Sequence, residues 1–382
     1  MLVVHPAMAP YRIDLFNLLA QQCDLRVLFL QALPSYDANL RREELAAALE
    51  CDWSVLADES GSPLRALPGR LRREIMAFDP EALVTHEFGW ASGLSTLTPL
   101  AGRRAARVLW TTRSPDQLAR LAASRWAAVR LLVPRADALL AYSEASSARL
   151  AAIAGISPSR LFVCANHQAA PRLHRLADAT RDAAVDRCRD LGILDMPLVV
   201  TVGRLVPDKD IATTIRGFTA ACQSLRHAVL VVIGDGPLRG DLESLARQAG
   251  IADRVVFLGH VPAADVQGWL SIASLNVLAS LAEPYGAVVA EGLAHGVPCI
   301  CSTAAGAAVL VDAAERGATV PPADVDAMAA ALRSRAGDMR PAAERAGQRR
   351  ADLRTVTVAD DARGFCAAIE HAVTTRRGRP TS

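Results

Sequence analysis

The feature that most constrains the fold is a set of eleven short apolar runs, rich in β-branched residues, that alternate with longer segments of helical pattern. Such runs are typical of strands buried on both faces of a parallel sheet. Six lie in the first half of the chain and five follow after a polar stretch: LVVH (2–5), LRVLFL (25–30), ALVTH (82–86), ARVLWT (106–111), ALLAYS (138–143), RLFVCA (160–165), LVVTVG (198–203), AVLVVIG (228–234), RVVFLG (254–259), LNVLAS (275–280) and PCICS (298–302). The pattern predicts two separate α/β units.

The length of 382 residues supports this division, because a single hydrophobic core seldom grows beyond about 250–300 residues. The arginine-rich stretch 171–197 separates the two series of strands and predicts the boundary. We expect a Rossmann-like domain over 1–168, a linker and surface helix over 169–196, and a second Rossmann-like domain over 197–360. The last residues, 361–382, should form a C-terminal helix with a basic tail. One option is that this helix returns to the first domain. Two facing, doubly wound parallel sheets predict an interdomain cleft at the carboxyl ends of their strands.

Composition excludes several classes of protein. A formal net charge of +2 gives no field strong enough to make nucleic acid the main partner. Eight cysteines without a Cys-x-x-Cys pair indicate neither a zinc site nor a disulfide framework. The N-terminal sequence lacks a basic leader, and no apolar run reaches the ~18 residues of a spanning helix, so we expect a cytoplasmic protein.

Among 42 basic residues only one is a lysine, Lys209. It follows the strand LVVTVG in the loop GRLVPDKD, which also contains Gly203 and Arg204. A guanidinium fork and a compact ammonium on one loop after a strand suit a diphosphate, which needs both geometry and neutralisation. A solvated surface loop with two cations is the alternative.

Two further patterns follow strands of the second series. Gly234 and Gly236 form a turn that is not a G-x-G-x-x-G fingerprint, and the sequence leaves open whether they only permit the turn or also let a ligand approach. The D-x-D patterns at 208–210 and 324–326 resemble metal sites. The first is interrupted by Lys209 and the second precedes a helix that aspartate would cap, so we predict no metal at either.

The segment EPYGAVVAEGLAHG (283–296) holds two glutamates, Glu283 and Glu291, in apolar surroundings. Its pattern predicts a helix that begins near Gly286 and ends at Gly296. The start of such a helix binds anions through free N–H groups, and a diphosphate held there would turn both carboxylates toward hydroxyl groups. Two structural salt bridges are the alternative for the pair.

The motifs GRLVPDKD, GDGPLR, FLGHVP and EPYGAVVAEGLAHGVPCI, in this order and at these distances, closely resemble the nucleotide-binding half of glycosyltransferase family 4. The resemblance covers about residues 197–332 well and the N-terminal half more loosely. It implies the GT-B fold and transfer of a sugar, with retained configuration, from a nucleoside-diphosphate sugar to a hydroxyl acceptor. It also implies no cofactor and no divalent metal for the chemistry.

Site residues carry over position by position. Arg204 and Lys209 look like the diphosphate-binding pair that stabilises the leaving group, while Glu283 is similar to the carboxylate that holds the donor sugar and Glu291 to the one that holds the ribose. The resemblance further implies backbone contacts to the donor from Gly286, Ala287 and the segment around Val261. Our other candidates for donor binding are Gly203, Gly234 and Gly236.

The N-terminal half departs from the family pattern, which leaves the acceptor site unassigned. HPAMAPYR replaces a Gly-Gly loop, and Asn166-His167-Gln168-Ala169 replaces the usual Asn-x-x-Asp. His86 is our candidate for the family's histidine near the donor sugar, although a hydrogen-bonded structural histidine is equally compatible. Its neighbour Glu87, with Tyr11 and Arg12 in the first loop, are candidates for acceptor contacts.

The segment from Arg103 to Arg135 carries eight arginines and two tryptophans against a single acid, Asp116. Such a surface either contacts anionic lipid, as a lipid-linked acceptor would favour, or is a solvated helix. The sequence thus predicts a cytoplasmic enzyme, with peripheral membrane contact as an option, that acts in cell-surface glycan synthesis or secondary-metabolite glycosylation. A sugar-nucleotide epimerase or hydrolase of the same fold, or a non-catalytic nucleotide-binding scaffold, are the alternatives.

Overall fold

The computed structural model describes residues 1–31, 42–56, 67–87, 89–97, 105–225, 227–347 and 351–378. The chain divides into two compact units, one formed by Met1–His167 with Thr357–Ser382 and the other by Gln168–Val356. Each unit contains one sheet whose strands all pair in parallel. The two α/β units expected from the apolar runs are therefore present.

The first unit has a seven-stranded sheet in the order β3-β2-β1-β4-β5-β6-β7. Its order reverses between β1 and β4, which is the position where doubly wound sheets bind ligands at their carboxyl edge. The strands are β1 Leu2–Ala7, β2 Arg26–Gln31, β3 Asp52–Val55, β4 Ala82–His86, β5 Ala106–Thr111, β6 Ala138–Ala141 and β7 Leu161–Val163. The helices are α1 Ile13–Ala20, α2 Arg42–Ala47, α3 Leu67–Phe78, α4 Trp90–Leu97, α5 Pro115–Ala119, α6 Ala123–Leu132 and α7 Glu144–Ala154.

The second unit has a six-stranded sheet in the order β10-β9-β8-β11-β12-β13, which reverses between β8 and β11. The strands are β8 Leu198–Val202, β9 Val229–Ile233, β10 Val255–Gly259, β11 Leu275–Leu278, β12 Cys299–Ser302 and β13 Gly317–Val320. The helices are α8 Ala170–Asp190, α9 Ile211–Ala221, α10 Arg239–Gln248, α11 Ala263–Ile272, α12 Ala287–Ala294, α13 Val325–Arg335 and α14 Ala342–Ala346; a last helix, α15 Val358–Arg377, belongs to the first unit.

All eleven apolar runs correspond to strands, and two strands gave no such run. β3 has the sequence DWSV and β13 has GATV, and each lies at an edge of its sheet. An edge strand pairs on one side only and is less completely covered, so its sequence needs no continuous apolar run. The other nine strands inside the two sheets were revealed by two-sided burial, while the remaining edge strands β7 and β10 are apolar although several of their residues are only partly covered.

The stretch 169–196, expected as a linker with a surface helix, is largely the helix α8 of the second unit. Its buried residues Leu173, Ala177, Ala184 and Cys188 recur on one face, and the helix packs against α11. The chain passes between the units just before this helix, at His167 and Gln168. The polar composition of 169–196 is explained by this half-exposed helix, because the protein covers only one face of α8 and the other face is in contact with water.

The C-terminal helix α15 packs on α1 and on strands β5 to β7 of the first unit. Asp361 anchors it, because the buried carboxylate accepts hydrogen bonds from the backbone N–H groups of Ala165 and His167, both at 2.9 Å. His167 Nδ1 lies 3.0 Å from the same carboxylate. One turn further, Gly364 lets the helix approach the backbone carbonyl of Val163 so closely that a Cβ atom would collide with it.

This close approach gives a stability prediction. Gly364→Ala places a methyl group against a backbone carbonyl that cannot rotate away, and we expect it to lower the free energy of unfolding by about 1–3 kcal/mol. Gly93→Ala is the matched control, because Gly93 also lies in a helix of the first unit but has no atom within 4 Å of the position that a Cβ would take. It should raise stability by up to about 1 kcal/mol. Urea denaturation of both variants measures the difference, and equal effects would contradict the packing argument.

Candidate active site

The loop after β8 is held by close backbone contacts with the loop after β9. The N–H of Gly203 donates to Ile233 O and that of Leu205 to Asp235 O, both at 2.9 Å. Gly234 has a φ of +137°, and a Cβ atom there would collide with Gly203 O. A Cβ on Gly236 would lie 2.5 Å from Leu205 O. Gly234 and Gly236 are thus required for the packing of two backbone segments. The sequence had left open whether they only permit a turn or also let a ligand approach, and the structure shows that the turn itself requires them.

The same loop positions Lys209 at the reversal between β8 and β11. Residues Pro207–Lys209 form one 3₁₀ turn, and Asp210 follows in the left-handed region at φ +43°, where its side chain caps α9 by accepting from Thr213 N at 3.3 Å. The stem of Lys209 crosses Gly203, whose Cβ would lie 3.6 Å from Lys209 Cδ. The single lysine therefore projects over the carboxyl end of β8.

Lys209 forms an ion pair with Glu283, which follows β11. Glu283 is only 8% exposed and Lys209 is partly buried, so both charges are shielded from water and depend on each other. The backbone amide of Leu281 donates to Asp208 O at 2.8 Å and ties the two loops together. The sequence assigned these two side chains to different parts of a donor, whereas the structure pairs them with each other.

Arg204 lies on the same loop and is exposed. Its guanidinium forms no ion pair or hydrogen bond with the described residues. Arg204 therefore offers a guanidinium fork, unpaired among the described residues, on the loop that follows β8, and such a fork is suited to an anionic ligand.

The helix α12 begins beside this ion pair. Gly286 caps it at a φ of +93°, and a Cβ there would lie 2.5 Å from Leu278 Cδ2 and 3.3 Å from Glu283 Cγ. The first turn, starting at Ala287, leaves N–H groups without acceptors inside the helix. The predicted helix over this segment is thus present, and its N-terminus adjoins the carboxylate that pairs with Lys209.

Glu291 lies one turn further along α12 and is held by two amide side chains. Gln168 Nε2 donates to Oε1 at 2.6 Å and Gln267 Nε2 donates to Oε2 at 2.9 Å. Burial raises the pKa of Glu291, while these two hydrogen bonds and the positive charges of Arg172 and Arg354 act to lower it. No direct ion pair to this glutamate occurs among the described residues. The sequence missed Gln168 and Gln267, because neither belongs to a motif that points to a carboxylate.

The remaining candidates in the second unit are Val261 and the D-x-D segments. Val261 follows β10 and packs against the core beneath β8 and β9. Asp324 caps α13 by accepting from Ala327 N at 2.8 Å, as predicted. No group of three or more His, Cys, Asp or Glu side chains is arranged for a metal ion within the described ranges.

The first unit, taken by itself, places His86 at the end of β4, where the sheet order reverses. Its ring lies 4.9 Å from the ring of His5 and 5.7 Å from that of Trp110, measured between centroids. Nδ1 of His86 and Nε1 of Trp110 are buried without a hydrogen-bond partner among the described residues. Burial lowers the pKa of His86 to about 3, with the positive charges of Arg12 and Arg113 acting in the same direction.

The other first-unit candidates have structural partners. Arg12 is 1% exposed, and its guanidinium donates to Ala165 O at 3.1 Å, to Tyr142 OH, and lies 4.2 Å from the centroid of the Trp110 ring. Tyr11, in the same first loop, is partly exposed, and its ring centroid lies 5.6 Å from the Arg12 guanidinium carbon. Arg12 therefore stabilises the loop from inside the unit.

Glu87 adopts a φ of +61°, which is rare for a residue with a Cβ atom. Its carboxylate accepts from Thr112 N at 3.0 Å, from Thr112 Oγ1 at 2.9 Å and from Arg113 Nε at 2.7 Å. These bonds tie the loop after β4 to the loop after β5. They fix the backbone that carries His86.

The lowered pKa of His86 predicts the protonation state of its imidazole. Its imidazole should stay neutral between about pH 5 and pH 8, so the Cε1–H resonance should not shift over that range in the folded chain. The same resonance in the urea-unfolded chain should titrate near pH ~6.5. His86→Asn identifies the signal in an NMR titration, and a midpoint above pH ~5 in the folded state would contradict the burial argument.

Comparison with known proteins identifies the family. The family model described as Glycosyltransferase Family 4 matches residues 13–167, and that described as Glycosyl transferases group 1 matches residues 189–350. A GDP-mannose-dependent alpha-(1-6)-phosphatidylinositol monomannoside mannosyltransferase of Mycobacterium tuberculosis is 30% identical over 281 residues, which cover 70% of each chain. An alpha-D-kanosaminyltransferase of Streptomyces kanamyceticus is 31% identical over 172 residues, so the match spans 43% of this chain and 45% of that relative.

Solved structures share the fold. HepE of Anabaena, in complex with UDP and glucose, aligns with a TM-score of 0.72 over 97% of this chain and 99% of its own, at 17% identity. WaaG, a glycosyltransferase involved in lipopolysaccharide biosynthesis, aligns with a TM-score of 0.61 over 99% and 96%, at 16% identity. With its two parallel-sheet units and both family models matched, the chain belongs to glycosyltransferase family 4, group 1, and has the GT-B fold.

Proposed function

We propose that this glycosyltransferase moves a sugar from a nucleoside-diphosphate sugar to a hydroxyl acceptor, with retention of configuration and without a divalent metal. The observation that carries the proposal is the Lys209–Glu283 ion pair at the reversal of the second sheet, with the exposed Arg204 on the same loop as Lys209 and the N-terminus of α12 adjacent to Glu283. Together these groups offer positive charge, free N–H donors and one carboxylate on the loops that follow β8 and β11.

The ammonium group of Lys209 allows both members of the ion pair to contact the same sugar nucleotide. An ammonium group has three N–H donors, and the bond to Glu283 uses one of them. The other two can bind diphosphate oxygens while the pair stays intact. Glu283 then remains beside the diphosphate without repelling it, because Lys209 neutralises it, and its second oxygen accepts from a sugar hydroxyl.

The reaction breaks the bond between the anomeric carbon and the diphosphate oxygen and forms a bond from that carbon to the acceptor oxygen on the same face. The acceptor proton passes to the departing phosphate oxygen. Negative charge that develops on the diphosphate is stabilised by Arg204, by Lys209 and by the first N–H groups of α12, starting at Ala287. These cations perform the neutralisation for which other transferases use a metal ion. In the first unit, neutral His86 is our candidate for the histidine near the donor sugar, and the partly exposed Tyr11 is a candidate for a contact to the acceptor.

The relatives suggest which donors and acceptors to test. The mycobacterial relative is named as GDP-mannose-dependent and acts on a phosphatidylinositol mannoside, and HepE was solved with UDP and with UDP-glucose. The kanosaminyltransferase and a 2-deoxystreptamine glucosyltransferase are relatives named for small molecules. A donor panel of UDP-, GDP-, ADP- and TDP-linked sugars in a thermal-shift assay, followed by product analysis with lipid-linked and small acceptors, tests the proposal.

Substitutions within the cation set give the sharpest test of transfer. We expect Lys209→Met to reduce kcat/KM by about 10²–10³-fold, because the leaving diphosphate loses a fixed positive charge. Arg204→Ala should weaken transfer in the same direction, whereas Arg216→Ala, an exposed arginine on α9, should not. Rates are measured with the donor that gives the largest thermal shift.

Normal turnover in Lys209→Met would contradict the proposal. Release of free or epimerised sugar without any acceptor would instead favour the hydrolase or epimerase alternative. Nucleotide binding without turnover of any donor would favour a scaffold.

We also propose that the first unit contacts anionic lipid through α6 and its surroundings. Of the arginines in this segment, Arg107, Arg113 and Arg135 have protein partners, while Arg125 and Arg130 on α6 are exposed. Leu131 is 42% exposed beside them, and Trp90 on the neighbouring α4 is 43% exposed. No helix within the described ranges has the length and apolar character to cross a bilayer.

Vesicle sedimentation tests this surface. Each basic residue near an anionic membrane contributes about 1 kcal/mol, so Arg125→Ala with Arg130→Ala should reduce partitioning onto phosphatidylglycerol-containing vesicles roughly tenfold or more. The exposed pair Arg187 and Arg189 on α8, changed to alanine, is the control. Equal binding of the wild-type chain to purely phosphatidylcholine vesicles would contradict an electrostatic contact.

A further inference from the structure

A buried asparagine, Asn276, lies within strand β11, whose other residues are all apolar. It is 0% exposed and lies on the same face of the sheet as its register partners, Val200 on β8 and Cys299 on β12, which are also buried. An amide enclosed by apolar neighbours has lost its hydrogen bonds to water and needs partners within the protein. Packing of the core alone gives no reason for an amide at this position.

One end of this amide has a partner and the other has none. Nδ2 of Asn276 donates to the backbone oxygen of Val288 at 2.8 Å. Because a backbone carbonyl can only accept, the nitrogen must be the end that faces Val288. Oδ1 is buried and has no hydrogen-bond partner among the described residues. A buried acceptor without a donor costs free energy, so an apolar side chain of the same shape would serve the fold at least as well.

The bond from Asn276 joins β11 to the first turn of α12. Val288 is the second residue of this helix, which begins at Ala287. The N–H of Val289 donates to Gly286 O at 3.0 Å. The N–H groups of Ala287 and Val288 have no acceptor within the described part of the chain. Asn276 thus holds the carbonyl of a residue whose own N–H is available to a ligand at the start of the helix.

Two glycines bring α12 close enough to β11 for this bond. A Cβ atom on Gly286 would lie 2.5 Å from Leu278 Cδ2, and one on Gly292 would lie 3.0 Å from Asn276 Nδ2. Leu278 and Asn276 are two residues apart on the strand and therefore point to the same face of the sheet. The start of α12 lies against the leucine and its middle against the asparagine. Of these two contacts only the hydrogen bond is directional, so it fixes where the helix lies along and around its axis.

We propose that Asn276 is a positioning residue, which sets the place of α12 and thereby aims the N–H groups of Ala287 and Val288 at the second phosphate of the nucleoside diphosphate. This inference rests on the proposed function, which places the diphosphate between Lys209 and the start of α12. Apolar packing lets a helix slide slightly over a sheet, and a shift of ~1 Å is enough to break a hydrogen bond to a bound phosphate. The asparagine prevents that shift, and its unsatisfied oxygen is the accompanying loss in stability.

Nucleotides that differ only in the second phosphate measure this role. Calorimetric titrations with UDP and UMP, GDP and GMP, and ADP and AMP give, for the base that binds, the factor by which the second phosphate tightens binding. We expect this factor to fall about three- to tenfold in Asn276→Leu, which keeps the branched shape of the side chain and removes the N–H donor. Affinity for the monophosphate should change less, because it lacks the group that the N–H donors of α12 contact.

The same variants separate positioning from folding. Asn276→Leu removes a buried unsatisfied oxygen, so its thermal midpoint should equal or exceed that of the wild type. Asn276→Ala removes the donor without adding volume beside Gly292, and it should lower the factor in the same way. Thr214→Val is the matched control, because Thr214 is also 0% exposed and its hydroxyl has no partner among the described residues, but it belongs to α9. It should keep the wild-type factor.

The outcomes separate this inference from the proposed function. If the wild-type chain binds no nucleotide, or gains nothing from the second phosphate, the proposed diphosphate site fails and this inference fails with it. If the second phosphate tightens binding equally in the wild type and in both folded Asn276 variants, the positioning role is wrong while the diphosphate site stands. An equal fall in Thr214→Val, or an equal loss of mono- and diphosphate affinity in the Asn276 variants, would show a general effect of core substitution and overturn the inference.

Discussion

The ion pair between Lys209 and Glu283 is the interaction around which the second unit is arranged. Two opposite charges with little exposure to water meet at the reversal of the sheet, and each lowers the free-energy cost of burying the other. The loop that carries Lys209 is shaped by the left-handed Asp210, and the loop that carries Glu283 by the left-handed Gly286. Both loops are thereby held at the carboxyl ends of neighbouring strands.

The first unit uses the same topological position differently. Its sheet also reverses between the first strand and the strand that follows the crossover, but the side chains there are His5 and His86 with Trp110 nearby. Burial lowers the pKa of both histidines, so this end is polar without being charged. A charged end suits a diphosphate, and a neutral polar end suits hydroxyl groups, which fits the division between donor and acceptor that we propose.

Most of the fold could be predicted from the sequence, and so could the chemical types of the site residues. Nine of the eleven strands found from apolar runs lie inside a sheet and were evident because strands covered on both faces must be apolar throughout, whereas the edge strands β3 and β13 are not under this constraint. Lys209 was evident as the only lysine, and Glu283 and Glu291 as acids in apolar surroundings. Their partners could not be predicted, since Gln168 and Gln267 lie about 120 and 24 residues from Glu291 and meet it only through packing.

By itself, the sequence determined two parallel sheets, the loops that follow their strands and the residues that give those loops charge, because strand burial, turn glycines and helix caps are local requirements. The tertiary structure decided the rest: that Lys209 pairs with Glu283, that Gly234 and Gly236 serve the packing of two loops, and that Arg12 is buried and donates to Tyr142. The physical reason is that hydrogen bonds and ion pairs join whichever groups the packed sheets bring together, and that distance in space is not encoded in any local pattern.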